Sequence, residues 1–433
     1  MGVGRMKRKF QFISGCQWLR PATLLRKASF LLATCIPILI FPRIVLSLAS
    51  IPSQPSAVIS GRVVDAETGE PLASVNVFLA QTTLGDATDR DGRFSIPRIP
   101  PGHYQLIVSR IGYEMQKVPV HLAAAEHKEF TFKLKLKILP GGEVTVVAKF
   151  PKDWKRNLEI FENTFFGLTD FAKACKLLNP EVLDFKFNPK TGHFEASAEQ
   201  PVRYINRALG YEVSFILEHY TLDMVNESLY AVVKDRNVVA LQNAGYRCKG
   251  ILKFKALPAK DEKEAKAWEK NRQTAYFGSF QHFLKSLWAG RLKQQGFEIF
   301  ETPFPHAKTE HKIKIRDILH TTSDPGEKML SFPGYLEVVY KKENDPICER
   351  MQRQVLDQMN ISDDARQSLF IEKVYRECAH QVSWIKILNK GNIMINQQGQ
   401  ILTPEADLEF AGYWKWNSLA ESMPINYDPG IHH

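Results

Sequence analysis

The sequence lacks the residue patterns that mark several common kinds of catalytic and nucleotide-binding site. None of its twelve histidines is followed by a glutamate three residues later, the spacing of the two adjacent ligands in many zinc peptidases. His193 with Glu195 and His306 with Glu310 have other spacings. There is also no Gly-x-Ser-x-Gly motif and no glycine-rich phosphate-binding loop. We therefore expect a protein that is not an enzyme, with no metal ion and no cofactor.

Acidic residues are absent from the first 49 positions, and this absence explains most of the net charge of +10. The same segment holds eight basic residues: Arg5, Lys7, Arg8, Lys9, Arg20, Arg26, Lys27 and Arg43. The rest of the chain has 49 basic and 47 acidic residues, so its charge is nearly balanced. Nucleic-acid binding normally needs a clustered positive surface, and we expect no nucleic-acid partner.

Long apolar runs are also missing. The longest uncharged apolar segment of the leader, Ala28–Phe41, has the length of a signal-peptide core and is too short to span a bilayer as a helix. Ser47-Leu48-Ala49 offers a cleavage site before Ser50. We predict a signal peptide over residues 1–49 and a location in the periplasm or at the outer membrane. The alternative is an uncleaved leader that holds the protein at a membrane.

Cysteine is scarce, with six residues in the chain, and cleavage of the leader would leave four. These are Cys175, Cys248, Cys348 and Cys378, and no two of them form a Cys-x-x-Cys pair. This spacing does not support a zinc ribbon or a thioredoxin-like site. In an exported protein the four allow three complete disulfide pairings, and buried free thiols are the alternative.

A linker over residues 50–56 precedes a region of short strands separated by turns. Strand-like segments alternate with Gly, Pro and Asp turn residues from Val58 to Leu136. One turn, Asp89–Gly92, faintly resembles half of a calcium loop, but the glutamate that such a loop needs is missing, and an Asp-Gly turn is the simpler interpretation. Strands at this near-regular spacing predict an all-β sandwich over residues 57–147.

The same segment resembles a known domain family. The residues that carry the resemblance are Gly61-Arg-Val-Val-Asp65, Thr68-Gly-Glu-Pro-Leu72, Val75-Asn-Val77, Thr88-Asp-Arg-Asp-Gly-Arg-Phe94, Pro101-Gly-His-Tyr104 and Ile111-Gly-Tyr113. In this order they are similar to the carboxypeptidase regulatory-like domain. The resemblance implies a seven-stranded, transthyretin-like (prealbumin-like) sandwich, of the kind found behind metallocarboxypeptidase domains and ahead of TonB-dependent receptors. In that fold Phe94, Tyr104 and Leu106 should face the core between the sheets.

Residues 151–433 contain both helical and strand-like segments, and this pattern predicts an α+β domain. Asp153–Leu178 and Asp261–Gln295 read as helical, and Ile313–Leu319 as a strand. Val382–Leu388 and Asn392–Asn396 read as a hairpin. Several of its segments resemble the region that follows such sandwiches in uncharacterised bacterial envelope proteins: Phe165-Phe-Gly167, Cys175-Lys-Leu-Leu-Asn-Pro180, Ile205-Asn-Arg-Ala-Leu-Gly-Tyr211, Arg272, Tyr276-Phe-Gly-Ser279, His282-Phe283, Gly296-Phe297 and Gly412-Tyr-Trp414. That resemblance implies no activity.

The most function-like side chains are Arg272, Tyr276, Ser279 and His282. At 100° per residue the first three share one face of a single predicted helix, with His282 at its edge. A partly buried arginine beside tyrosine and serine can bind a carboxylate or sugar hydroxyls. The alternative is a structural arginine paired with a buried acid.

Aromatic residues cluster near the end of the chain, at Tyr413, Trp414, Trp416 and Tyr427. They can stack on sugar rings, or they can seal the core as a docked terminal segment, which we favour. The sequence thus predicts an exported, non-catalytic envelope protein that binds a protein or polysaccharide component. The alternative is an envelope hydrolase that uses the region of Arg272 and His282.

Overall fold

The computed structural model describes residues 56–137, 150–223, 244–307, 311–359, 361–388, 391–403, 408–416 and 419–430. The predicted signal peptide and nearly all of the predicted linker lie outside these residues. Residues Ser53–His433 form one compact unit. No helix in the described part of the chain has the length and apolar character to cross a membrane.

The N-terminal part of the described chain is the predicted β-sandwich. Its seven strands are β1 (Ala57–Asp65), β2 (Asn76–Leu79), β3 (Gly85–Ala87), β4 (Arg93–Ile99), β5 (Gly102–Ser109), β6 (Gln116–Leu122) and β7 (His127–Leu134). One sheet has the order β4-β1-β7 and the other β3-β2-β5-β6. β1 is antiparallel to β4 and parallel to β7. The apolar residues of the two sheets meet in one core, where Phe94, Tyr104 and Leu106 are buried as predicted.

The Asp89–Gly92 segment is a hydrogen-bonded turn. The Asp89 carboxylate accepts from the backbone N–H groups of Asp91 and Arg93, at 2.9 and 2.8 Å. Gly92 has φ +73°, and a Cβ there would lie 2.4 Å from the Val63 carbonyl oxygen. The carboxylate is therefore committed to closing the turn, as the Asp-Gly interpretation requires.

The rest of the described chain mixes helices and sheets, which confirms the α+β prediction. The helices are α1 (Trp154–Phe165), α2 (Glu262–Tyr276), α3 (Phe280–Trp288), α4 (Leu292–Gln295), α5 (Ile315–Ile318), α6 (Pro346–Asp357), α7 (Asp363–Glu377) and α8 (Tyr413–Trp416), with 3-10 turns at Asp170–Ala174 and Pro180–Val182. The strands are β8 (Cys175–Leu177), β9 (Leu183–Asn188), β10 (His193–Ala198), β11 (Val202–Asn206), β12 (Tyr211–Asp223), β13 (Gly245–Ala256), β14 (Phe297–Thr302), β15 (Leu319–Thr321), β16 (Glu327–Ser331), β17 (Tyr335–Tyr340), β18 (Gln381–Ile387), β19 (Asn392–Asn396) and β20 (Leu408–Gly412). They form sheets of order β8-β11-β12-β10-β9 with β13 on β12, β14-β17-β18-β20, and β15-β16-β19.

The predicted hairpin of Val382–Leu388 with Asn392–Asn396 is wrong. β18 pairs with β17 and β20, whereas β19 pairs with β16 in a different sheet. The two strands are close in sequence, but they belong to different sheets. Adjacency in sequence therefore misassigned the pairing.

Two further element predictions need correction. Ile313–Leu319 contains the short helix α5 before strand β15 begins at Leu319. The predicted helix Asp153–Leu178 ends at Phe165, and its last part forms a 3-10 turn and β8. Gly167 follows the helix with φ +85°, a conformation typical of helix termination.

The sandwich is joined to the α+β region by backbone hydrogen bonds. Gln81 N–H donates to the Leu252 carbonyl at 2.7 Å, and Phe254 N–H donates to the Thr82 carbonyl at 3.0 Å. Ile425 N–H in turn donates to the Gln81 carbonyl at 2.8 Å, and its side chain is buried with the sandwich core. The end of the described chain thus binds both parts together.

The four downstream cysteines divide into one disulfide and two thiols. Cys348 at the start of α6 is bonded to Cys378 just after α7. Cys175 and Cys248 are free. The disulfide fastens α6 and α7 to each other.

Candidate functional site

The four candidate site residues lie on two helices rather than one. α2 ends at Tyr276, and Gly278 follows with φ +76°. Ser279 is the N-cap of α3, and its hydroxyl accepts from the His282 N–H at 3.1 Å. The prediction that Arg272, Tyr276 and Ser279 share one helical face is therefore wrong. A left-handed glycine and a serine N-cap end one helix and begin the next.

The break at Gly278 is held by its surroundings. Its N–H donates to His282 Nδ1 at 3.2 Å, and its carbonyl accepts from Trp414 Nε1 at 2.8 Å. A Cβ at this position would lie 2.2 Å from Gln381 Oε1. The conformation and the close packing both require glycine here.

Arg272 is used to hold the turn before β12. Its Nε donates to the Leu209 carbonyl at 2.8 Å, and its guanidinium lies 4.4 Å from the centre of the Tyr211 ring. Neighbouring donors on the same helix bind the preceding carbonyls: Trp268 binds Arg207 and Asn271 binds Ala208. The arginine is thus structural, but its described partners are carbonyls and a ring rather than the buried acid that we expected.

His282 is buried, with 3% of its surface exposed. Because Nδ1 accepts from Gly278, the ring proton is on Nε2, which donates to Gln295 Oε1 at 3.2 Å. Burial lowers the pKa of His282 to about 4, so the ring stays neutral at physiological pH. The Tyr276 ring packs 5.1 Å from it and is itself buried.

A hydrolase at this position would need an open cleft and a carboxylate within hydrogen-bonding reach of His282. Among the described residues, both ring nitrogens are bonded to uncharged groups, and the side chain is enclosed. The geometry brings Tyr276, Ser279 and His282 together around the helix break and places Arg272 one turn away, against the loop before β12. Tyr276, Ser279 and His282 therefore support the junction between α2 and α3.

The C-terminal aromatics pack against this helix break. Tyr413 and Trp414 are buried, and the Tyr427 hydroxyl donates to Glu269 Oε1 at 2.8 Å. The Tyr276 and Tyr427 rings meet edge to face. The side chain of Trp416 lies outside the described residues. Tyr413, Trp414 and Tyr427 therefore seal the core, as the docked-segment interpretation predicts, and the described rings are not arranged as a sugar-stacking surface.

A surface cleft lies elsewhere, beside Cys175, Glu162 and Phe166. Burial raises the pKa of the Cys175 thiol to about 12. A thiol nucleophile needs a lowered pKa so that the thiolate is present at neutral pH. Cys175 is therefore not activated for nucleophilic catalysis.

Replacing Arg272 by leucine should lower the free energy of unfolding by about 2 kcal/mol, because buried carbonyls lose a charged donor. Chemical denaturation measures this change. The matched control is Lys266→Ala on the same helix, whose exposed ion pair with Glu262 should contribute less than about 0.5 kcal/mol. An Arg272→Leu protein as stable as the wild type would show that the guanidinium does not support the turn.

A second cluster joins the sandwich to the α+β region. His103 lies on β5. Its Nε2 atom is 3.9 Å from a carboxylate oxygen of Asp324, and its Nδ1 atom is 3.8 Å from a carboxylate oxygen of Glu327. These two acids lie at the turn between β15 and β16, and the His121 ring stacks on His103 at 4.3 Å. Sequence reasoning missed this group because more than 200 positions separate its members. Of the three residues, the sequence motifs include only His103, in Pro101-Gly-His-Tyr104.

Comparisons with known proteins give matches to parts of this chain. Residues 59–146 match the CarboxypepD_reg-like domain family. TonB-dependent receptor P39 of Formosa agariphila is 38% identical over 82 residues, which are 19% of this chain and 7% of the receptor. The chain thus matches only a small part of that receptor's length.

Matches to solved structures include proteins of quite different kinds. A type II cohesin–X-dockerin complex from Acetivibrio cellulolyticus is 22% identical, with 18% of this chain and 58% of that chain covered and a TM-score of 0.17. 3-Chlorocatechol 1,2-dioxygenase from Rhodococcus opacus is 19% identical, with 20% and 62% covered and a TM-score of 0.16. By its motifs, its seven strands and its family match, the segment 59–146 is a CarboxypepD_reg-like domain.

Proposed function

We propose that this protein is exported to the cell envelope and binds a protein component there without catalysing a reaction. The observation that carries the proposal is the CarboxypepD_reg-like sandwich, together with 38% identity over 82 residues of this chain to part of a TonB-dependent receptor. The leader pattern and the near-neutral charge of the rest of the chain support it. The enclosed, fully bonded setting of His282 also favours a structural over a catalytic use of that region.

The contact surface that we propose is one end of the sandwich. Ile111, in the loop after β5, is 70% exposed, and Leu136, after β7, is 52% exposed. Lys137 N–H donates to the Gly112 carbonyl at 2.9 Å, and Tyr113 forms a bridge with Leu136. These backbone contacts join the loop that carries Ile111 to the segment that carries Leu136. We call Ile111 and Leu136 the apolar end.

The chemistry of the apolar end favours a protein over a polysaccharide. Sugar rings stack on aromatic faces, whereas Ile111 and Leu136 are aliphatic. Adjacent exposed aliphatic residues are more typical of protein contacts. Addition of a partner strand to β6 is less suitable, because Pro119 lies within that edge strand and has no N–H to donate.

Crosslinking in native envelopes tests this function. The double variant Ile111→Ser/Leu136→Ser should reduce recovery of a crosslinked partner protein by about tenfold or more, since apolar contact residues commonly contribute that much. The matched control is Leu369→Ser/Ile371→Ser, which removes one leucine and one isoleucine exposed on α7. Equal recovery with both double variants would contradict the proposed surface. Binding to a glycan array that survives the change at the apolar end would favour a polysaccharide ligand instead.

A further inference from the structure

We propose that His103, Asp324 and Glu327 form a binding site for a divalent transition-metal ion, with Zn²⁺ as the best-suited ion. The site lies between β5 of the sandwich and the β15–β16 turn of the α+β region. A bound ion would fasten the two parts of the protein to each other. This inference does not depend on the proposed function.

The donor set and its spacing suit such an ion. One ligand atom from each of the three residues can be chosen so that all lie within 4.8 Å of one another. A tetrahedral zinc ion binds histidine nitrogen and carboxylate oxygen at about 2.0–2.2 Å, which places its ligands about 3.5 Å apart. Side-chain rotation of Asp324 and Glu327, both partly exposed, can close the difference. Three protein ligands leave the fourth position to water.

His103 offers a nitrogen that makes no hydrogen bond to any described residue. Its side chain is 15% exposed, and its Nε2 atom is buried. Buried polar atoms in proteins are rarely left without one. The nearest carboxylate oxygen, on Asp324, is 3.9 Å away, too far for a hydrogen bond. A metal ion between them would satisfy both groups.

Glycine at position 326 leaves space beside this nitrogen. A Cβ there would lie 2.5 Å from His103 Nε2 and 3.1 Å from Asp324 Oδ1. That distance is close to a metal–ligand bond, so a side chain would occupy the volume that the ion needs. The backbone of Gly326 also donates to Asp324 Oδ1 at 2.7 Å, which orients one ligand carboxylate.

The chemistry of the ligands suits a divalent transition-metal ion. The two carboxylates supply negative charge for a divalent ion, and mixed imidazole and carboxylate donors suit zinc or manganese better than calcium.

Calorimetric titration of the full chain with ZnCl₂ tests the site. We expect one tight site in the wild type, and a rise in the thermal midpoint when zinc is added, because an ion that binds only the folded state stabilises it. His103→Gln and Asp324→Asn should each weaken binding by at least about 100-fold, the upper end of the loss seen when outer-shell partners are removed. Gly326→Ala should have a similar effect while it leaves all three ligands in place.

Two controls separate this site from other histidines. His193→Gln removes a histidine that contacts a single carboxylate, Asp223, and should leave zinc affinity unchanged. His432→Gln/His433→Gln removes adjacent histidines near the end of the sequence, which are a source of unrelated zinc binding. If His103→Gln destabilises the fold, Asp324→Asn and Gly326→Ala decide the question, since these changes are made on the surface turn.

The proposal is overturned if the wild type binds no zinc or if its binding survives both Asp324→Asn and Gly326→Ala. It is also overturned if the binding disappears in the His432→Gln/His433→Gln variant alone. A thermal midpoint that rises with zinc in the wild type but not in Gly326→Ala would show that the ion acts at the junction.

Discussion

Replacing Cys348 by serine should lower the free energy of unfolding by about 3–4 kcal/mol, the amount expected when a disulfide closing a loop of this length is lost. The bond links residues 30 positions apart and joins the start of α6 to the residue after α7. Cys378 is also completely buried, and its carbonyl accepts from Asp345 N–H at 2.9 Å. Loss of the bond therefore disturbs the N-cap of α6 as well.

The control for this experiment is Cys175→Ser, which removes a free thiol and should cost less than about 1 kcal/mol. Urea denaturation of each variant, with and without dithiothreitol, separates the effects. The reductant should destabilise the wild type and Cys175→Ser equally and leave Cys348→Ser unchanged. A wild type that is insensitive to dithiothreitol would mean that the disulfide does not contribute to stability. Disulfides persist in oxidising compartments, so this result also bears on export.

Replacing Glu421 by glutamine should make the protein more stable above pH 7. Burial raises the pKa of Glu421 to about 7, while a hydrogen bond from the Tyr413 hydroxyl opposes the shift. An acid whose pKa is higher in the folded than in the unfolded protein stabilises the fold only while it is protonated. Its contribution is present below pH 4.5 and is lost as the pH rises through about 7. At pH 8.5 the ionised carboxylate should cost about 3 kcal/mol, since each pKa unit corresponds to about 1.4 kcal/mol.

Denaturation of the wild type and Glu421→Gln between pH 4.5 and 8.5 measures this difference. The two proteins should have similar stability at pH 4.5, and Glu421→Gln should be the more stable at pH 8.5. The control Glu262→Gln changes an exposed side chain on α2 and should give the same profile as the wild type. Parallel profiles for wild type and Glu421→Gln would contradict the account.

His282 affects the pH dependence of stability in the opposite direction. Its pKa is lower in the folded than in the unfolded protein, so the protein loses stability as the pH falls below 6.5.

The sandwich could be predicted closely from the sequence, because its strands and turns are marked by residues that are near each other in the sequence. Turn residues such as Gly92 and the alternation around Phe94 and Tyr104 fix both the strands and the inward faces. The family resemblance added the number of strands and the prealbumin-like arrangement. The family match over residues 59–146 confirms that resemblance.

In the α+β region, the sequence predicted the presence of several helices but neither all of their ends nor the pairing of the strands. The apolar positions of α3 predict a helix, yet Gly278 lies inside a continuous helical pattern, and periodicity alone does not show that it ends α2. β18 and β19 are neighbours in sequence but belong to different sheets, because register is decided by long-range packing. For the same reason, the sequence left open which cysteines pair.

The candidate sites show the same limit. Arg272, Tyr276, Ser279 and His282 have the residue types of a binding site, but their role depends on burial and on carbonyls from the turn before β12. His103, Asp324 and Glu327 carry no spacing signal, since the fold alone brings them together. The helical spacing of these polar residues therefore suggested a binding site, and only their contacts in the fold showed the structural role of Arg272 and His282.

Fractionation of the native host with mass analysis of the mature N-terminus tests the central claim most directly. The account predicts a protein that begins near Ser50, is recovered with the envelope and gives a reproducible crosslink from the apolar end to one partner protein. A full-length chain that remains in the cytoplasm and crosslinks to nothing would contradict both export and the binding function.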